Sequence, residues 1–293
     1  MRHTAPAVVL VALAAAACSS STTLHVTPVR AVLPAHGECV GSVEVTVVNE
    51  GSRAVNVGKL SLLMTAERHG MEPPDKAPGA ALAMFEPPWT GEPLLAPGET
   101  RVLRNTVVRT LAAPSEPFDV QASVPAFNQD NARSEWTSDS VTFDPSAWPV
   151  AEPLTAEAID RAVAEGREVR VLLYELNGEG WGVRMLDVRG DGTAAGLAAG
   201  TFGDSNRNAV ASGGTLDPAQ RAELIAAVRA APLAAFRADP EEARTFDGHR
   251  VRLLVAAGRS ACQMSGMVAD FRAAGLEPLL ERLRALIASL PRK

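Results

Sequence analysis

The stretch Val43-Glu44-Val45-Thr46-Val47-Val48-Asn49-Glu50-Gly51-Ser52 decides how the first half of this chain folds. Val43, Val45 and Val47 alternate with Ser42, Glu44 and Thr46. A period of two places apolar side chains on one face and polar ones on the other, the pattern of a half-buried strand. Asn49 to Ser52 then supplies turn chemistry. The alternation recurs in Leu60, Leu62 and Met64 against Lys59, Ser61 and Leu63, and in Val120, Ala122 and Val124 against Gln121 and Ser123. Pro97-Gly98 and residues 128–131 mark further turns. Nothing between residues 24 and 143 has the 3.6-residue period of an amphipathic helix, so the segment is expected to be an all-β sandwich of short antiparallel strands.

Two strings here carry a resemblance. Val45-Thr-Val-Val-Asn-Glu-Gly-Ser52 and Leu95-Ala-Pro-Gly-Glu-Thr100 resemble the immunoglobulin-like modules of bacterial envelope lipoproteins. In those modules an Asn-x-Gly turn ends one strand, and a Pro-Gly-Glu-Thr turn leads towards the closing hairpin. The likeness covers about residues 24–143 and implies a module that binds or spaces. The insert at residues 67–93 departs from a compact sandwich. It carries Met71, Met84, Phe85 and Trp89 among prolines and glycines. It is either a functional loop or a loop folded back over one end, and the second reading is preferred.

Residues 144–153 contain Pro145, Pro149 and Pro153 and read as a stiff linker. Beyond it, residues 154–293 mix strands and helices without a βαβ rhythm, so a small α+β domain is expected. Residues 155–165 form a helix with Ala158, Ile159, Ala162 and Val163 on one face and Gly166 at its end. Val169, Val171 and Leu173 open a strand; residues 181–188 make a second, reached through the turn at residues 177–180. Asp217-Pro218-Ala219-Gln220 starts a helix whose buried face is Leu224, Ile225 and Val228. Val251, Leu253 and Val255 form a strand after the Asp247-Gly248 turn. The chain closes with a helix striped by Leu276, Leu279, Leu280, Leu283, Ile287 and Leu290.

The N-terminus sets location. Arg2 precedes an unbroken small or apolar run at residues 7–17, too short to span a bilayer as a mature helix. Ala15-Ala16-Ala17-Cys18 resembles a bacterial lipobox, although Ala15 stands where Leu is usual and Leu13 lies two positions earlier. The resemblance implies a signal peptide of residues 1–17 and a lipidated Cys18, followed by a polar tether through residue 23. An ordinary signal cleaved near Ala17 is the alternative. The formal net charge of −6 is dispersed, without the footprint of a nucleic-acid binder or a basic membrane-binding patch. Membrane attachment is therefore expected to come from the acyl chains of a diacylated, N-acylated Cys18, since one chain anchors only weakly. Ser19 is compatible with outer-membrane sorting if the host has two membranes.

Catalytic patterns are sparse. No Gly-x-Ser-x-Gly elbow, His-x₃-His, Cys-x₂-Cys or His-Glu-x-x-His occurs. His249, next to a turn, is expected to be solvated. Asp187 to Gly192 lacks the alternating acids of a calcium loop. Arg189-Gly190-Asp191 spells an adhesion tripeptide, but turn chemistry explains it better. No catalytic, metal or cofactor set follows. Cys39 and Cys262 either form the one disulfide open to them or stay free, partly buried thiols, and free thiols are preferred. Residues 200–214, with Asp204, Ser205, Asn206, Arg207 and Asn208, supply a recognition loop or a solvated connection; the solvated connection is preferred.

The expectation is an envelope lipoprotein with a binding or structural role towards a protein or an envelope polymer. It faces the periplasm or the cell surface. An accessory or immunity-type lipoprotein that blocks a periplasmic partner is one alternative. The other is a carboxylate-dependent hydrolase, in which Glu175, Glu179 and Asp187 converge across adjacent strands.

Overall fold

The computed structural model describes residues 23–57, 61–65, 82–85, 94–109, 117–127, 133–177, 182–199, 210–237 and 248–292. Cys18, residues 67–81 and 86–93 of the insert, Glu179, and Asp204 to Asn208 lie outside the described residues. The described part is mostly β-sheet, with eighteen strands and four α-helices.

The first half forms two antiparallel sheets. One contains β1 (Leu24–Val26), β2 (Arg30–Val32), β3 (Val40–Asn49), β6 (Leu82–Phe85) and β8 (Thr100–Arg109), in the order β1-β3-β8-β6 with β2 also on β3. The other contains β4 (Val55–Val57), β5 (Ser61–Thr65), β7 (Leu94–Leu95), β9 (Phe118–Phe127), β10 (Arg133–Thr137) and β11 (Val141–Phe143), arranged around β9. Val43, Val45 and Val47 from the first sheet share a buried core with Val55, Val57, Val120, Ala122 and Val124 from the second. The period-two reading of these strands therefore holds. The Asn49 turn has a physical cause: this buried side chain accepts from Gly51 N–H at 3.0 Å and donates to the carbonyls of Arg53 and Leu95, both at 2.8 Å. It ties the end of β3 to β7. Gly98, at φ +74°, turns the chain beside it and donates to the Asn49 carbonyl at 2.7 Å.

The second half is built on a seven-stranded sheet. Its strands are β12 (Glu152–Pro153), β13 (Val169–Asn177), β14 (Gly182–Val188), β15 (Thr193–Ala199), β16 (Val210–Thr215), β17 (Arg250–Ala257) and β18 (Ser260–Met267). The order is β12-β18-β17-β13-β14-β15-β16, and only β12 runs parallel to its neighbour. Helices α1 (Ala156–Ala164), α2 (Pro218–Ala230), α3 (Val268–Ala273) and α4 (Glu277–Ser289) bring their apolar residues into one core with one face of the sheet. Asp217 and Gln220 cap each other at the start of α2, at 2.8 and 3.1 Å, as their spacing predicts. The stripe from Leu276 to Leu290 is wholly buried. Val163 differs: it is 47% exposed on α1, while Ile159 and Ala162 face the core.

Residues 144–153 are not a free linker. Trp148, 2% exposed, packs in the core of the first two sheets. Ala151 N–H donates to the Arg109 carbonyl at 2.9 Å, and Glu152 N–H donates to the Arg259 carbonyl at 2.9 Å. The segment is thus hydrogen-bonded to both halves. Cys39 and Val108 from the first half meet Ala151, Leu172, Leu254 and Ala256 in a separate buried cluster. Leu172 and Leu254 point away from the helices, whereas Leu173 and Val255 point towards them. At the junction the central strands β13 and β17 therefore bury apolar residues on both faces, as expected where strands are covered on both sides.

The two remaining cysteines are free thiols. Cys39 lies in the junction cluster and Cys262 packs with the helix-side core, so the sheet stands between them. Burial pushes the Cys39 thiol up to about 12. Part of the expected connection at residues 200–214 is regular structure: residues 210–214 belong to β16, which pairs with β15. Gly213 N–H donates to the Pro291 carbonyl at 2.9 Å, and the chain beyond α4 runs beside this strand.

Candidate functional site

Glu175 occupies a core-facing position of β13, where the alternation Val169, Val171, Leu173 calls for an apolar residue. Its side chain is 1% exposed. Such a carboxylate requires partners, and three other elements converge to supply them. Arg284 of α4 donates from Nε to Oε1 at 3.0 Å and also from Nη2 to the same oxygen. His249, just before β17, places Nε2 at 2.7 Å from Oε1, an ion-pair distance. Arg184 of β14, opposite Glu175 in register, approaches Oε2 at 3.4 Å. Arg284 also reaches Glu277 at 3.4 Å. Burial by itself would raise the Glu175 pKa. The His249 and Arg284 contacts outweigh it and hold the carboxyl at about 2. His249 is thus part of a partly buried cluster rather than a solvated turn residue.

Asp187 sits on the opposite sheet face. Arg170 grips it through two bonds, Nε to Oδ1 at 3.0 Å and Nη2 to Oδ2 at 2.9 Å, and Arg189 lies 3.5 Å away. The period-two geometry puts Glu175 with the helices and Asp187 away from them, so these acids do not converge. The sheet separates the two residues proposed to act together. Both serve as ion-paired struts.

A third place has a different character. An open cleft of about 930 Å³ lies between α1, α2 and the β14–β15 turn. Val163, Leu216 and Ile225 line it together with Arg167, Arg189 and Arg221. The Arg189-Gly190-Asp191 string forms that turn. Its geometry is structural: Asp191 Oδ1 accepts from Thr193 N–H at 2.8 Å, and that bond holds the Asp191 carboxyl below its usual range. Gly190 is needed because a Cβ there would lie 2.7 Å from Glu168 Cα. Among the described residues, no group of three or more His, Cys, Asp or Glu side chains is placed to hold a metal ion.

No protein-family model and no curated relative matches the chain. Among solved structures it is similar to the CupB2 chaperone of Pseudomonas aeruginosa, at 14% identity and a TM-score of 0.22, over 81% of this chain and 96% of that one. It is also similar to BcpA, the major pilin subunit of Bacillus cereus, at 10% identity and a TM-score of 0.22, over 67% of each chain. Superpositions at that score do not define a shared fold.

The Glu175 cluster was half legible. A glutamate on the apolar parity of β13 signals a buried acid in need of a cation. Arg284, one residue after Leu283 on the edge of the α4 stripe, is a matching signal. The cleft carries no such mark, because α1 and α2 are brought together only by packing.

Proposed function

We propose that this chain is an envelope lipoprotein with a binding role, built from an immunoglobulin-like β-sandwich at residues 24–143 and an α+β domain at residues 154–293. Cys18 carries the lipid, and the sandwich stands between the lipid and the binding domain. The partner is a protein or an envelope polymer on the periplasmic side or at the cell surface.

The observation that carries the reading is the open cleft between α1 and α2. It combines an exposed apolar residue, Val163, with arginine side chains. Open clefts that mix apolar walls with a few placed charges are recognition surfaces. The junction cluster around Leu172 and Leu254 supports the same role, since it lets the two halves present that surface as one piece.

Two measurements test the proposal. Mass spectrometry of the mature protein should find acylated Cys18 at the N-terminus, and Cys18→Ser should release the protein from membranes or block processing. An unmodified mature start at Ser19 or later would remove the lipoprotein part. Crosslinked capture from detergent-solubilised envelopes should recover one stoichiometric partner. Repeated failure to recover any would remove the binding part.

A further inference from the structure

We infer that the edge of strand β16 is a self-association surface, held closed by the tail that follows α4. When the tail is displaced, a second copy of this chain takes its place on the strand.

β16 is the last strand in the order of the seven-stranded sheet, so one side of its backbone meets no further strand of that sheet. Parity decides which groups face that side. Leu216 N–H donates towards β15, to the Gly192 carbonyl at 2.9 Å, whereas Gly213 N–H donates outward, to the Pro291 carbonyl at 2.9 Å. Backbone groups alternate along a strand, so Ala211 and Gly213 both present N–H and C=O outward. An edge of this kind templates another strand unless something protects it. β16 has no protection of its own: Val210-Ala-Ser-Gly-Gly-Thr215 contains neither a charge nor a proline. The opposite edge differs, since β12 is two residues long and ends in Pro153.

The tail supplies what β16 lacks. Leu290, 7% exposed, ends α4 in the core and leaves it with extended backbone, at φ −66° and ψ 140°. Pro291 and Arg292 are thereby delivered to the strand edge. Arg292 forms an antiparallel bridge with Ser212. The Pro291 ring lies beside Gly214, where an added Cβ would come 3.5 Å from its Cδ. Both tail residues are exposed, and both template poorly: the first has no N–H and the second carries a charge. The cap is also short, which makes it exchangeable for a longer strand.

Self-complementarity makes a second copy the occupant. When two β16 strands lie antiparallel about Ser212, Ala211 of one copy meets Gly213 of the other and exchanges both backbone bonds with it. The two-fold axis repeats the pair. Ala211, Ser212, Gly213 and Gly214 are small and uncharged, so neither bulk nor like charge opposes the pairing.

The test is sedimentation equilibrium, in reductant, of the mature chain carrying Cys18→Ser. If the tail closes the edge about nine-tenths of the time or more, truncation after Leu290 should tighten self-association by at least about tenfold. Ala211→Pro in the truncated chain removes an outward N–H without touching the β15 pairing, and should restore the monomer. Pro291→Gly/Arg292→Gly in the full-length chain loosens the tail without placing a chain end at Leu290, and should shift association in the same direction by less. A truncated chain that melts like wild type and associates no more strongly than wild type overturns the inference. So does a dimer that survives Ala211→Pro, because another surface then holds it. If truncation prevents folding, the full-length glycine variant decides, and association unchanged from wild type overturns the inference there.

Discussion

Arg284 reaches Glu175 across 109 residues of sequence and meets its carboxylate with Nε 3.0 Å from Oε1. The contact clips α4 to β13 beneath the helix layer. It stands where the sheet would otherwise present another apolar side chain. Replacing Arg284 with Met should therefore leave a buried charge without its main partner. We expect a loss of about 3–5 kcal/mol in urea unfolding, as for other broken buried pairs. The double variant Glu175→Leu/Arg284→Met should recover most of that loss, because no uncompensated charge remains.

The same carboxylate sets an acid limit. Glu175 titrates at about 2 in the folded chain against an ordinary value of 4.5. Its contribution is therefore fully present above about pH 4.5 and is lost as pH falls towards 2. In unfolding experiments between pH 7 and pH 2.5, wild type should exceed Glu175→Gln in stability at neutral pH. The gap should close steadily below pH 4.5. A gap independent of pH would show that the ion pairs do not hold this carboxyl down.

Residues 144–153 should resist limited proteolysis despite their three prolines. Trp148 is buried in the sandwich core, and a Cβ added at Gly41 would sit 2.2 Å from the Trp148 ring. Trp148→Ala should cost about 3–5 kcal/mol and open the segment to cleavage. Gly41→Ala should push the ring aside and give a milder form of the same result. Cleavage of the wild-type chain between residues 144 and 153 into two stable halves would refute the packed junction.

Thiol chemistry offers a separate check on the two faces of the large sheet. In protein made without residues 1–18, a thiol reagent should find two thiols after denaturation and no disulfide. In the folded chain Cys39 should react far more slowly than Cys262, because burial raises its pKa to about 12 and hides its sulfur. Quantitative disulfide between Cys39 and Cys262 would contradict their placement on opposite faces.

The junction is more than contact. Leu172→Ala or Leu254→Ala removes side chains shared by the two halves and should destabilise by about 2–5 kcal/mol. Calorimetry should show one cooperative transition for the wild-type chain. Two transitions with unchanged midpoints in these variants would mean that the halves never supported each other.

Local patterning was enough to read the strands around Val43–Val47 and Val120–Val124, the Asn49 and Gly98 turns, the capped start of α2 and the buried stripe of α4. Each depends on spacing within one segment and on the intrinsic geometry of strand, helix or turn. Glu175 continues the parity of Val169, Val171 and Leu173, a signal of a buried charge that was left unused. The sequence by itself did not reveal that His249, Arg184 and Arg284 surround it, because those residues come from three other elements. It misread residues 144–153, since proline content says nothing about what covers Trp148. It grouped Glu175 with Asp187 because strand neighbours look close in sequence, yet alternate residues point to opposite faces. The cleft between α1 and α2 exists only once both helices are laid on the sheet. Packing decided that Val163 would stay exposed beside Arg221 while Ile159 and Ala162, on the same helix, went inside. Periodicity selects which residues can be buried, and the shape of the neighbouring element selects which of them are.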